Sequence, residues 1–251
     1  MQKAKFVELV GPPGAGKSTL CEVALNKNPT WRRAEYAAWF QFMHQKSDSR
    51  FQTLLQHLPT ALSYRIYRTR YRNTLYRTWL DTQTEMTELM TLVTSVINSL
   101  NISVIERLNL QDRFRTVLAI QLLSYKYAHT QNTVVIADEL CLQHLVSLFY
   151  ARPSEVDLSS QCDNYIKLMP KPDAIIYCTG PAQVLWQRTK ERQKGLPRIW
   201  KHFTEEMFTS TIHNISKNLA KAHTHPSLVS IPMSEASIST DYERLFATLR
   251  Q

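Results

Sequence analysis

The sequence predicts an α/β protein built on a parallel sheet, and three observations predict it. Short β-branched runs alternate with helical patterns along the chain, the arrangement of strands joined by helical crossovers. A glycine-rich turn links the first run to the first helix. One long stretch without glycine, residues 36–130, interrupts the alternation. With 43% hydrophobic and 10% aromatic residues the chain carries enough apolar surface to bury a core, which excludes a disordered protein. Its 251 residues suit one domain, 1–251, with 36–130 as a large helical insertion.

The elements follow in order. Residues 5–10 (KFVELV) are a short apolar run stopped by a glycine, which reads as a buried parallel strand. Glu8 is the exception within it and needs a partner if buried. Residues 18–26 place Leu20, Cys21, Val23 and Ala24 at helical spacing and read as the first helix. The insertion contains a single proline, Pro59, and reads as helical almost throughout. Leu89, Leu92, Val93 and Val96 give one apolar stripe in it, and Val117, Ile120, Gln121 and Ser124 a weaker one. The period then changes. Residues 133–137 (TVVIA), 174–178 (AIIYC) and 228–231 (LVSI) read as strands, each followed by a helical pattern. The helix after Cys178 begins near Pro181 and ends before Gly195. The last helix has Thr240 and Glu243 placed as a capping box, with Tyr242, Leu245, Phe246 and Leu249 on its apolar face.

Composition narrows the function less than the fold. A net charge of +9 raises a nucleic-acid or phosphate-bearing partner without choosing between them. The four cysteines form no C-x-x-C, so neither a zinc knuckle nor a disulfide framework is implied. No histidines stand at metal-ligand spacing, and His223 and His225 read as solvated. The chain begins without an apolar leader and nowhere runs to about 18 apolar residues, so the expectation is a cytoplasmic protein without a membrane segment.

The chemistry is carried by residues 11–19, Gly-Pro-Pro-Gly-Ala-Gly-Lys-Ser-Thr, which match G-x-x-x-x-G-K-[ST]. Three of the chain's five glycines fall within its first six positions. The match lies between a strand and a helix, as its mechanism requires. Glycines let successive N–H groups turn toward a phosphate, and the following helix adds the positive end of its dipole. Gly11, Gly14, Ala15, Gly16, Lys17, Ser18 and Thr19 are therefore the expected nucleotide-binding residues, in a three-layer P-loop NTPase fold. Lys17 should reach the β and γ phosphates from a loop position where it packs against nothing. Ser18 should hold Mg²⁺, and Thr19 should help to fix the helix start. A carboxylate at the end of an adjacent strand completes such a metal site, and residues 133–139 supply Asp138 and Glu139. Asp138 reads as the second metal-linked residue, and Glu139 as a group that polarises water or takes a proton from a substrate hydroxyl.

Glycine poverty also sorts the P-loop classes. A GTPase would carry D-x-x-G and [NT]-K-x-D, and neither occurs. An ABC-type ATPase needs a glycine-rich signature, whereas only Gly180 and Gly195 lie outside the loop. Small-molecule kinases remain. Residues 172–198 (PDAIIYCTGPAQVLWQRTKERQKGLPR) resemble the strand, helix and lid of the nucleotide and nucleoside kinase group, thymidylate kinases in particular. The resemblance extends over residues 5–23, 132–145 and 171–201. It implies ATP and Mg²⁺ as cofactors, and it implies that Arg188, Arg192 and Arg198 close over the transferred phosphate. Arg188 and Arg192 share a helix face, and their guanidinium forks suit a phosphoryl group with charge on three oxygens.

Where thymidylate kinases have Asp-Arg and deoxynucleoside kinases Glu-Arg-Ser, this chain has Asp138-Glu139-Leu140, without the acceptor-binding arginine. A carboxylate there suits a hydroxyl acceptor such as a nucleoside or sugar, with Glu139 as base. A nucleotide acceptor would need arginines instead, and residues 61–77 are rich in them. On a helix Tyr64, Tyr67 and Tyr71 would share one face and Arg65, Arg68 and Arg72 another. Those tyrosines either pack inward or stack on bases, and any of those arginines in the pocket would favour a phosphorylated acceptor. Glu35, Glu106 and Arg107 are further candidates for the acceptor site. The leading expectation is a kinase acting on a small molecule. The alternatives are a P-loop ATPase or nucleotide sensor that binds nucleic acid or a protein through 61–77, and a kinase fold that binds nucleotide without catalysis.

Overall fold

The computed structural model describes residues 5–44, 53, 55–68, 76, 78–149, 158–191, 203–221, 228–232 and 243. Five parallel strands form one sheet in the order β2-β3-β1-β4-β5, with β1 (Phe6–Val10) at its centre. The others are β2 (Arg32–Arg33), β3 (Val135–Ala137), β4 (Ala174–Thr179) and β5 (Leu228–Pro232). Phe6 stands opposite Val135 on one side, and Val7 opposite Ala174 on the other. Burial on both faces explains why β1, β3 and β4 read as continuous apolar runs instead of alternating ones. The chain leaves β1 toward one edge and later returns to build the other. Crevices in such sheets open where the winding reverses, beyond the carboxyl ends of the central strands.

Asp173 starts this sheet. Its Oδ2 accepts the amides of Lys5 (3.0 Å) and Phe6 (2.9 Å), and His129 Nε2 lies 3.1 Å from the same oxygen. The aspartate just before β4 thus anchors the beginning of β1.

Helix α1 (Lys17–Lys27) follows the phosphate loop. Between β2 and β3 come α2 (Ala34–Met43), α3 (Thr60–Ile66), α4 (Thr87–Ser99) and the long α5 (Val104–Thr130), with α2 packed along α5. Ser103 and Glu106 form a reciprocal capping box at the start of α5, and Arg107 donates to the Leu100 carbonyl, so these two acceptor-site candidates serve a helix end instead. The weak stripe of α5 is buried at Val117, Ile120, Gln121 and Ser124. Its polar members have partners: Ser124 Oγ donates to Ala34 O (2.7 Å), and Gln121 Oε1 accepts from Cys141 N (2.9 Å). After β3 come α6 (Cys141–Phe149) and α7 (Ser159–Leu168), then α8 (Ala182–Lys190) after β4 and α9 (Glu205–Lys221) before β5.

One strand was not foreseen in the sequence, and one expectation is revised. Strand β2 has no apolar run to announce it. It is an edge pair of arginines held by register, with Arg32 N donating to Val134 O at 3.0 Å. The arginine and tyrosine segment also departs from one continuous α-helix. Helix α3 ends at Ile66, and Tyr67 and Arg68 continue in a wider π-type turn. Tyr64 packs against Tyr36 and Trp39, with ring centroids 5.7 and 5.3 Å away, while the buried Tyr67 meets the buried Tyr76 at 5.5 Å. Arg70, Tyr71, Arg72, Arg77, His223, His225 and most of the last helix lie outside the described residues. Within that helix Glu243 is described, 3.9 Å from Lys27.

Candidate active site

The site begins where β1 meets its loop. Gly14 and Gly16 take φ values of 80° and 74°, and Gly11 takes 153°. A side chain has no room at two of these positions. A Cβ on Gly11 would stand 2.1 Å from the Cys178 carbonyl oxygen, and one on Gly14 would stand 2.6 Å from that of Leu185. The loop is therefore seated against the end of β4 and against α8. Arg188 is part of that seat, its Cβ lying 3.4 Å from where a Gly14 Cβ would be. Arg192 and Arg198 lie outside the described residues.

Lys17 differs from the expectation that it packs against nothing. It is only 9% exposed, and its Nζ donates to the carbonyls of Gly11 (2.7 Å) and Pro12 (3.0 Å). The ammonium thus closes the loop on itself. The start of α1 is set by Gly16 in a left-handed conformation, without a side-chain cap, whereas Thr19 is exposed. Positive-φ glycines and an uncapped helix start are the arrangement that presents backbone N–H groups to an anion.

Beyond the loop opens a cavity of about 730 Å³. Ser18 from α1 and Asp138, Glu139 and Leu140 from the end of β3 form one side of it. Arg33 and Glu35, at the junction of β2 and α2, and Arg68 form another. Helix α5 contributes Asn109, Asp112, Arg113 and Thr116. Arg113 lies 3.4 Å from Glu139, and Arg68 lies 4.0 Å from Glu35. With Arg113 58% and Glu139 64% exposed, such a pair stabilises the fold by less than about 1 kcal/mol, so its charges can exchange partners at small cost. Cys21 on α1 is pushed up to about 12 by burial first and by the nearby Asp138 charge second.

Behind the loop, Glu8 is fully buried and does find a partner: its Oε1 accepts the Gln143 amide at 3.2 Å. Burial pushes its carboxyl up to about 8, against backbone amides of Gln143, Leu142 and Leu140 that pull the other way.

Sequence reasoning brought together Ser18, Asp138 and Glu139, and it raised Glu35 and Arg68, all of which line one cavity. It missed Arg33 and the α5 residues. A signal for the latter was present, because Asn109, Asp112, Arg113 and Thr116 repeat at i, i+3, i+4 and i+7 and so mark a polar stripe on an otherwise packed helix.

A parallel sheet whose central strand runs into a glycine-rich loop and a helix, wound in this order, is a P-loop NTPase architecture. The chain is similar to the thymidylate kinase of Candida albicans over 99% of its own length and 92% of that chain, with a TM-score of 0.50 at 13% identity. The deoxyadenosine kinase of M. mycoides with bound dATP covers 98% of this chain and 100% of its own, with a TM-score of 0.49 at 16% identity. At 13% identity the Candida albicans likeness speaks for the fold alone. No family model matches the sequence, and no curated protein matches it. Among the described residues no helix is long and apolar enough to cross a membrane.

Proposed function

We propose that the chain is an ATP- and Mg²⁺-dependent phosphotransferase that moves the γ-phosphoryl group to a small acceptor held in the cavity. The observation that carries this reading is the meeting of Ser18, from the helix after β1, with Asp138, from the end of β3, on the wall of one acceptor-sized cavity. Both offer hard oxygen donors, which fit an ion that keeps several waters and shares substrate phosphates. Mg²⁺ would neutralise charge developing between the β and γ phosphates. Gly11, Gly14, Ala15, Gly16, Lys17, Ser18 and Thr19 bind the nucleotide. Lys17 answers the phosphate charge, and Arg188, with Arg192 and Arg198, covers the transferred group. Residues 1–251 act as one domain, in which 36–130 supplies the acceptor wall. The setting is cytoplasmic, where the four thiols stay free.

The acceptor is read as one that already carries a phosphate, such as a nucleoside monophosphate. Arg68 supports this from the cavity wall, which Arg33 and Arg113 also line. An ionised phosphate oxygen attacks the γ-phosphorus without surrendering a proton, the bond to the β-phosphate oxygen breaks, and ADP leaves. Glu139 favours a second reading from the same cavity. A hydroxyl acceptor would pass its proton to that carboxylate as the new phosphate ester forms.

ADP release in the presence of nucleoside monophosphates, nucleosides and sugars separates the two. A phosphate-bearing acceptor predicts that Arg68→Ala raises KM for the acceptor at least tenfold and that Glu139→Gln stays within a few-fold of wild type. Loss of about a hundredfold or more in kcat on Glu139→Gln, with Arg68→Ala near normal, would hand the site to a hydroxyl acceptor. ADP release independent of every acceptor would refute the kinase reading.

A further inference from the structure

We propose that Glu8 is a positioning residue for nucleotide binding, which sets the phosphate loop through Gln143. The proposal rests on the phosphotransferase reading. It starts from the place of a carboxyl where an apolar side chain is expected. Glu8 is fully buried in the central strand, among Phe6, Val7, Leu9 and Val10 that are equally so, and burying a polar group there is costly unless it is bonded.

What Glu8 bonds to connects the two halves of the site. Its Oε1 accepts the backbone N–H of Gln143, in the first turn of α6. The side-chain Oε1 of Gln143 in turn accepts the N–H of Gly11 at 3.2 Å, the first amide of the phosphate loop. One residue is therefore gripped by its backbone and grips the loop with its side chain. Helix α6 begins two residues after Glu139, so the same grip ties the loop to the acidic segment.

The linkage is sensitive to charge. With its carboxyl pushed up to about 8, Glu8 is mainly neutral at neutral pH. Among the described residues, the titratable groups whose charge is coupled to Glu8 are Cys141 of α6 and Tyr165 of α7, both pushed up by burial and so neutral over the same range. Its partners across the sheet, Ala137 and Ile175, carry no charge. Ionisation of Glu8 would therefore place a buried negative charge behind the loop, opposing the Lys17 ammonium that donates to the Gly11 and Pro12 carbonyls.

The test is ATP affinity without acceptor, measured on the full chain from about pH 6.5 to 9.5 for wild type and Glu8→Gln. Glutamine keeps the shape and the acceptor oxygen but cannot ionise. Wild-type affinity is expected to fall roughly tenfold across the range beyond any change seen in Glu8→Gln, whose profile carries only the titrations common to both. Glu8→Met, which lacks the acceptor oxygen, should bind more weakly at every pH while melting cooperatively; if it fails to fold, the glutamine comparison decides alone. Coincident wild-type and Glu8→Gln profiles, with both proteins binding ATP, overturn the role of Glu8 and leave the phosphotransferase reading standing. Absence of ATP binding at every pH overturns both.

Discussion

Lys17 serves the loop before it serves any phosphate. Its buried ammonium donates to two loop carbonyls, so its removal acts on the fold as well as on the chemistry. Hydrogen bonds to a charged group are each worth about 1.5–3 kcal/mol. Lys17→Ala is therefore expected to lower unfolding stability by roughly 3 kcal/mol or more in urea and turnover by about a hundredfold or more. Full activity in that variant would remove Lys17 from the phosphate site; lost activity at unchanged stability would mean that the two carbonyl contacts carry no net energy. Single residues of this kind were only half legible in the sequence. The motif announces that a lysine is needed, yet nothing in it tells that the side chain is 9% exposed and already bonded.

At the level of elements, the phosphate loop is shaped by what lies against it. Gly14 combines a left-handed backbone with the Leu185 carbonyl 2.6 Å from any added Cβ and the Thr189 hydroxyl 2.9 Å away. Gly14→Ala must strain its φ, at about 1–2 kcal/mol, and push α8 outward as well. The expected result is a lower melting temperature and a weaker ATP-induced rise in it, read together by thermal unfolding. An alanine variant with wild-type values for both would show that the loop does not depend on this seat. Elements with a strong local signature, β1, β3, β4 and α4, were legible because their periods differ sharply. Strand β2 was not, since two arginines become a strand only by pairing with β3. The polar stripe of α5 was obscured because the helix is packed on several sides and its mixed pattern has no clean phase.

Over the whole molecule, Glu8 links stability to pH. Its carboxyl lies at about 8 in the folded chain against an ordinary 4.5. The folded state thus holds a proton that the unfolded state releases. Relative stability is full below 4.5 and is lost as pH rises through 8, to the extent of roughly 3 kcal/mol by pH 7. Glu8→Gln should accordingly gain on wild type as the pH is raised from about 5 to 8 in urea unfolding, and a constant difference between the two would contradict the shift.

The central position of β1 has a consequence for how the protein is made. Strand β1 is made well before either of its neighbours, β3 and β4. Gly11 waits for Gln143, 132 residues downstream, and Lys5 waits for Asp173, 168 residues downstream. Parallel pairing at such separations is slow because loop closure precedes the contacts that reward it. The nascent phosphate motif has no sheet to emerge from until β3 and β4 are synthesised. During that interval the apolar β1 segment stays exposed, because the partners that bury it have not yet been translated.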